Sequence, residues 1–296
     1  MRIGLVLISV ILIGFACKKQ NSIDALAFPS ERLDAYTFEY GTGEVQIDEK
    51  YHLEEGDYTL LSLDSYDEST GETFKIYAVY IGEIDSIASD SIILYCHGQS
   101  KHNDNYWSRA SLIANTGQKH KYGVLMMDYR GFGMSEGSSD EAGLSEDVDA
   151  CITWLKDQGA DPNKTFYYGY SLGAIPAIER IAHRDDFTPN KLIIESPLAS
   201  VNYLAHNSTI INVESKFVMN LEFENAEVIK EVEIPLLWMH GIEDTYVAIP
   251  NGELIYANHG GTYKEAIRVE DCDHAEVPMK IGFENYLMFI ENFLNN

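Results

Sequence analysis

Two segments of this 296-residue chain set a serine between glycines two places away on either side, Gly133-Met-Ser135-Glu-Gly137 and Gly169-Tyr-Ser171-Leu-Gly173. A serine hydroxyl is a weak nucleophile near neutral pH and does covalent chemistry only with a base in hydrogen-bond reach, itself oriented by a third group. Three fixed positions of common residue types recur by chance in about one chain in ten of this length, so the flanks have to decide between the two. Ser171 follows an aromatic strand run, Thr165 to Tyr168, and precedes Leu172, Ile175, Ile178 and Ile181 at helical spacing. Strand, sharp turn and helix make a nucleophile elbow, and the small residues Gly169, Gly173 and Ala174 leave room for its strained backbone. Ser135 lies in Gly131-Phe-Gly-Met-Ser-Glu-Gly-Ser-Ser, which is too rich in Gly and Ser to start a helix at once and reads as a loop. Ser171 is therefore the candidate nucleophile.

The base is expected at His274, which follows the final strand run in Val269-Glu-Asp-Cys-Asp-His274 and precedes the last helical segment. His52, His120, His183, His206 and His259 fall in helical ends or polar connections that suit surface roles, and His97 at a strand end reads as structural, with a role as ligand or base left open. The orienting acid should follow the strand Leu236 to Met239, where Glu243 and Asp244 are adjacent; Asp244 is the choice. Asp271 and Asp273 flank the histidine too closely for that task and suit a solvated loop. A carboxylate there fixes the imidazole tautomer and stabilises the imidazolium formed during attack. Two backbone N–H groups fit an oxyanion hole, that of Leu172 at the helix start and that of Gln99 after the strand end Tyr95-Cys-His97-Gly98. No metal or organic cofactor is needed for such chemistry.

Positioning these groups requires alternating strands and helices. Strand runs are expected at Tyr58 to Leu63 and Phe74 to Ile81, joined by the turn-type Asp-Glu-Ser-Thr-Gly as a hairpin. They continue at Ile92 to Tyr95, Gly123 to Met127, Thr165 to Tyr168, Leu192 to Ile194, Leu236 to Met239 and Ala266 to Val269. Helical segments are expected at Trp107 to Asn115, Leu144 to Gln158, Leu172 to His183, Gly252 to Asn258 and Met279 to Leu294. This alternation is that of an α/β domain with a largely parallel sheet, whose ligands sit beyond the carboxyl ends of the strands.

His97-Gly98, Asp128-Tyr-Arg-Gly-Phe-Gly-Met-Ser-Glu-Gly137, Tyr168-Gly-Tyr-Ser-Leu-Gly173, Glu195-Ser-Pro-Leu198 and His240-Gly-Ile-Glu-Asp244, in that order, resemble the α/β-hydrolase superfamily and within it the Bem46-like serine hydrolases. The resemblance runs from about Leu60 to the C-terminus. It implies an α/β-hydrolase fold with a mostly parallel central sheet of about eight strands, helices on both faces and a short helical lid. It also implies a triad on Ser171, Asp244 and His274 with Gln99 and Leu172 as oxyanion donors, and it makes the block around Ser135 a structural turn. A lid would fall within residues 199–232, with Ile211, Val213, Phe217, Val218 and Leu221 as pocket walls; packing on the core is the equal alternative.

The formal charge of −26, from 47 acidic and 21 basic residues, opposes any role in neutralising phosphates and makes nucleic acid an unsuitable partner. The first residues place one Arg before an apolar run that ends in small residues and Cys17, a secretion signal too short for a bilayer span. It resembles a bacterial lipoprotein signal: residues 1–16 removed, Cys17 carrying lipid, residues 17–56 a tether and extension packed on the domain, and 57–296 the hydrolase domain of an exported, membrane-associated envelope protein. Cys96, Cys151 and Cys272 are an odd number and imply no disulfide framework, and a bridge or metal pair between Cys96 and Cys272 is disfavoured. The expected activity is cleavage of an acyl ester of a small molecule or lipid. A peptidase, a thioesterase and a non-catalytic binding protein on the same fold are the rivals, because membership of a fold does not name a substrate.

Overall fold

The computed structural model describes residues 31–99, 101–203 and 221–296. Strands β1 (Tyr58–Tyr66) and β2 (Thr73–Ile81) form the antiparallel hairpin, registered from Tyr58 opposite Ile81 to Tyr66 opposite Thr73. Its turn is built by Asp67, whose Oδ1 accepts from the backbone N–H groups of Ser69 and Thr70, both at 2.9 Å. Such an Asx turn satisfies the backbone where the ladder stops. Six further strands follow: β3 (Ser91–Cys96), β4 (Tyr122–Met127), β5 (Thr165–Tyr170), β6 (Lys191–Glu195), β7 (Leu236–Gly241) and β8 (Lys264–Val269). The eight strands make one sheet in the order β1-β2-β4-β3-β5-β6-β7-β8. β2 pairs antiparallel with β4, and every later pairing is parallel. The chain winds from β3 to β4 on one side and returns to β5 on the other, so the order reverses between β3 and β5. A crevice opens beyond the carboxyl ends at such a switch point. Gln99 follows β3 there, and Ser171 follows β5.

Strands buried on both faces carry apolar residues throughout, and alternation divides them between two cores. Ile92, Leu94 and Cys96 of β3 join one core and Ile93 and Tyr95 the other. The second core is covered by α1 (Asn103–Ala114), with Trp107 and Ile113, and the first by α2 (Glu141–Asp157) and α3 (Ala174–His183), with Val148, Ile152 and Ile178. α2 begins three residues before the expected Leu144 because the Asp140 side chain caps it, accepting from Gly143 N–H at 2.8 Å. After α4 (Asn225–Val228) and α5 (Pro250–Asn258), the single helix expected over Met279 to Leu294 is two, α6 (Val277–Ile281) and α7 (Phe283–Asn295). Gly282 between them has φ 83, a conformation open to glycine that ends one helix and turns the chain into the next.

Residues 31–56 lie against the domain rather than apart from it: Val45, Tyr51 and Leu53 are buried, and Phe38 packs its ring 4.6 Å from that of Trp107. Residues 221–232 pack inward as well, with Phe223, Ala226, Ile229 and Val232 buried in the first core and Leu221 against it, so this part of the lid reading resolves to core packing. Ile211, Val213, Phe217 and Val218 lie outside the described residues, as do the leader, Cys17 and His206.

Candidate active site

Ser171 stands directly after β5 with φ 52, left-handed for a residue that bears a Cβ. Such strain costs about 1–3 kcal/mol and persists only where the surroundings enforce it. Here they do. A Cβ on Gly169 would come within 2.6 Å of the Ala174 Cα, and one on Gly173 within 2.0 Å of the Cys96 carbonyl oxygen, so both flanking positions admit only glycine. The turn passes straight into a single 3-10 turn, Ser171–Gly173, and then α3, which leaves the Leu172 N–H at a helix start.

The structure brings the three expected side chains together. His274 Nε2 lies 2.8 Å from Ser171 Oγ, and His274 Nδ1 lies 2.7 Å from Asp244 Oδ2. Both bonds are satisfied when Nδ1 carries the proton and Nε2 accepts from the hydroxyl. Asp244 is buried, and its Oδ1 accepts from the N–H groups of Tyr246 and Val247 at 2.9 and 2.7 Å. Burial by itself would raise its pKa, but hydrogen bonds from His240 and His274 outweigh it and hold the carboxyl well below the usual range. Neighbouring Glu243 is turned away and accepts from Cys272 N–H at 3.2 Å, which leaves Asp244 as the acid facing His274.

His240 was not singled out in the sequence, though it sits four residues before Asp244 in the same motif. It is fully buried, with Nδ1 accepting from Trp238 Nε1 at 3.3 Å, so its proton is on Nε2, 2.8 Å from the Val247 carbonyl and 3.2 Å from Asp244 Oδ2. The acid is thus held from both sides. The histidine loop is fixed in turn by Asp273, whose Oδ1 accepts from Thr245 N–H at 2.8 Å and His274 N–H at 2.9 Å.

Gln99 lies at the rim of the same site. Its backbone carbonyl accepts from Tyr106 OH at 2.9 Å and its side-chain oxygen from Tyr246 OH at 2.5 Å, across the mouth. His97 is buried behind it, Nδ1 2.8 Å from the Gly98 carbonyl and Nε2 3.3 Å from Asp128, and supports the loop without reaching the cavity. Above Ser171 opens a cavity of about 550 Å³ whose walls include Glu44, Gln99, Tyr170, Tyr246 and His274. Glu44 belongs to the N-terminal extension, in which the sequence points to no residue of the active site.

Ser135 does not line this cavity. Its buried hydroxyl donates to the Asp128 carbonyl and accepts from Tyr77 N–H, both at 2.8 Å, which spends its hydrogen bonds on a turn. The three cysteines at 96, 151 and 272 are unpaired and buried, and burial pushes the Cys272 thiol up to about 12, which disfavours the thiolate a metal would need. Among the histidines expected at the surface, His259 is a correction. The end of α5 folds it over the start of β7, where it is buried with Nε2 2.9 Å from the Ile234 carbonyl.

Residues 88–229 match the family described as Hydrolase_4: Serine aminopeptidase, S33. The lysophosphatidylserine lipase ABHD12 of Macaca fascicularis is 28% identical over 191 residues, 58% of this chain and 46% of its own. The YfhR protein of Escherichia coli K12 is 26% identical over 186 residues, 62% of this chain and 63% of its own. The chain thus spans about half the length of the first of these relatives. Among solved structures, the Pyrococcus furiosus esterase Pf2001 superposes with a TM-score of 0.63 at 19% identity, covering 80% of this chain and 90% of that one. Est1E of Butyrivibrio proteoclasticus, with ferulic acid bound, gives 0.62 at 14% identity over 75% and 95%. The chain has the α/β-hydrolase fold.

Proposed function

We propose that this chain is a serine hydrolase that cleaves acyl esters through an acyl-enzyme intermediate. The observation that carries the reading is the unbroken hydrogen-bonded line from Ser171 through His274 to Asp244, on a strained elbow at the floor of an open cavity. Ser171 Oγ attacks the ester carbonyl as His274 Nε2 takes its proton, and Asp244 holds the resulting imidazolium. The oxyanion of the tetrahedral intermediate is received by the N–H groups of Gln99 and Leu172, each donor worth about 3 kcal/mol in comparable sites. His274 returns the proton to the departing alkoxide, then activates a water that attacks the acyl-enzyme and releases the acid and free Ser171.

The lysophosphatidylserine lipase relatives favour a lipid or small-molecule acyl ester as substrate. A second reading, an aminopeptidase, is supported by the description of the matched family and by the carboxylates of Glu44, Asp273 and Glu276 along the cavity. Hydrolysis of p-nitrophenyl esters of graded chain length, beside aminoacyl p-nitroanilides, separates the two. Ester turnover that disappears in Ser171→Ala is expected; anilide turnover without ester turnover would replace the first reading by the second. We further propose that Cys17, exported and lipidated, tethers the enzyme to a membrane, which metabolic labelling with a fatty-acid probe tests against Cys17→Ser.

A further inference from the structure

Arg109, on the inner side of α1, is a fully buried cation that takes no part in the proton transfers above. Its guanidinium spends each of its edges on a different element. Nε donates to Glu44 of the N-terminal extension at 2.7 Å, Nη1 to Glu195 at the end of β6 at 2.6 Å, and Nη2 to the carbonyl of Ala275, the residue after His274, at 3.1 Å. Its face lies 4.1 Å from the ring centroid of Tyr170, the residue before Ser171, and that ring lies 5.4 Å from the His274 imidazole. One planar group therefore touches the chain neighbour of the nucleophile and the chain neighbour of the base. Only a rigid fork makes all of these contacts at once; an ammonium is a point charge.

Stability alone is a poor reason for such a group. Desolvating buried ions offsets most of their attraction, and apolar replacements of similar volume are often as stable. Glu195 is in addition satisfied from its far side by the hydroxyls of Tyr168 and Tyr286, the latter at 3.0 Å. What the fork provides is a fixed distance between two loops that no backbone ladder joins. Glu44 sets the angle of the fork, and it is itself pinned: a Cβ on the preceding Gly43 would come within 2.5 Å of the Asn105 carbonyl oxygen, so the extension sits hard against α1.

We propose that Arg109 is a positioning residue that sets the Ser171 to His274 geometry, and that Glu44 steers it, which makes the N-terminal extension a working part of the active site. The kinetic part of the proposal rests on the ester-hydrolase reading; the geometric part does not. Misplacement of reacting groups by an ångström lowers turnover on the order of a hundredfold. Arg109→Lys and Glu44→Ala are therefore expected to lower kcat by about tenfold to a hundredfold with KM within about threefold. Both should also broaden the low-field proton NMR resonance of the His274 Nδ1 to Asp244 bond, assigned by its loss in Asp244→Asn. Glu44→Gln keeps an acceptor for Nε and should recover most of what Glu44→Ala loses. Tyr286→Phe loosens the same buried cluster at Glu195 without touching the histidine loop and should keep both kcat and the resonance. Wild-type kcat and resonance in Arg109→Lys and Glu44→Ala, or losses that merely follow the melting temperature in all variants alike, would overturn the positioning role. If Arg109→Lys does not fold, Glu44→Ala, at a partly exposed site, decides. A wild-type chain that turns over no ester while the resonance still depends on Arg109 would retain the positioning role and sink the ester-hydrolase reading.

Discussion

The segments 133–137 and 169–173 have the same glycine-serine-glycine spacing, and both serines are buried, yet they have opposite fates. The Ser135 hydroxyl is saturated by backbone, giving to the Asp128 carbonyl and receiving from Tyr77 N–H. The extension tightens that turn further, with Arg32 donating to the carbonyls of Ser135 and Gly137. The Ser171 hydroxyl instead meets a titratable imidazole and opens on a cavity. A motif of this length specifies a tight turn; what the turn faces decides whether its serine is tied into backbone or left beside an imidazole at a cavity.

The contrast can be broken most severely at Ser171. Ser171→Ala is expected to lower ester turnover by about 10⁶-fold, down to what binding and the oxyanion donors alone provide, in a steady-state assay on the folded variant. Asp244→Asn should cost about 10⁴ in kcat by favouring the wrong imidazole tautomer, with KM little changed.

The same carboxylate has a signature in pH. Its folded pKa is depressed, so the stability it contributes is complete above the ordinary carboxylate value of about 4 and is lost as pH falls further toward the folded value. Thermal unfolding of the wild type should therefore drop more steeply with acid below about pH 4 than that of Asp244→Asn, and equal slopes would contradict the assignment.

At Ser135 the expected effect is on folding alone. Ser135→Ala leaves Tyr77 N–H without its acceptor and should cost about 1–3 kcal/mol in denaturant unfolding while turnover by the folded fraction stays unchanged. The smallest effect is expected at the mouth: Tyr246→Phe removes the bond to the Gln99 side chain and should alter kcat/KM by about threefold to tenfold.

Much of this was legible in local sequence. The strands stood out as apolar runs, and the elbow, the acid and the histidine each follow a strand end, where an α/β sheet places its chemistry. What escaped depends on distance along the chain. Arg109 and Glu195 are 86 residues apart, and in sequence Arg109 is only a charge on a helix. Glu44 sits in the extension expected to pack on the domain, and no local signal in the sequence marks it as a wall of the cavity. His240 had a visible signal, its spacing to Asp244, but its role follows from the bond with Trp238 that fixes its proton. His259 looked like a surface residue because it follows a helix end, while its partner, the Ile234 carbonyl, lies 25 residues earlier in the chain. The helix break at Gly282 was written in a single glycine inside an otherwise periodic run.

Covalent labelling of the folded chain with a fluorophosphonate, followed by peptide mass spectrometry, tests the central claim most directly. The account predicts one adduct, on Ser171, that persists in Ser135→Ala and vanishes in Ser171→Ala. An adduct on Ser135, or labelling that survives the loss of Ser171, would contradict it.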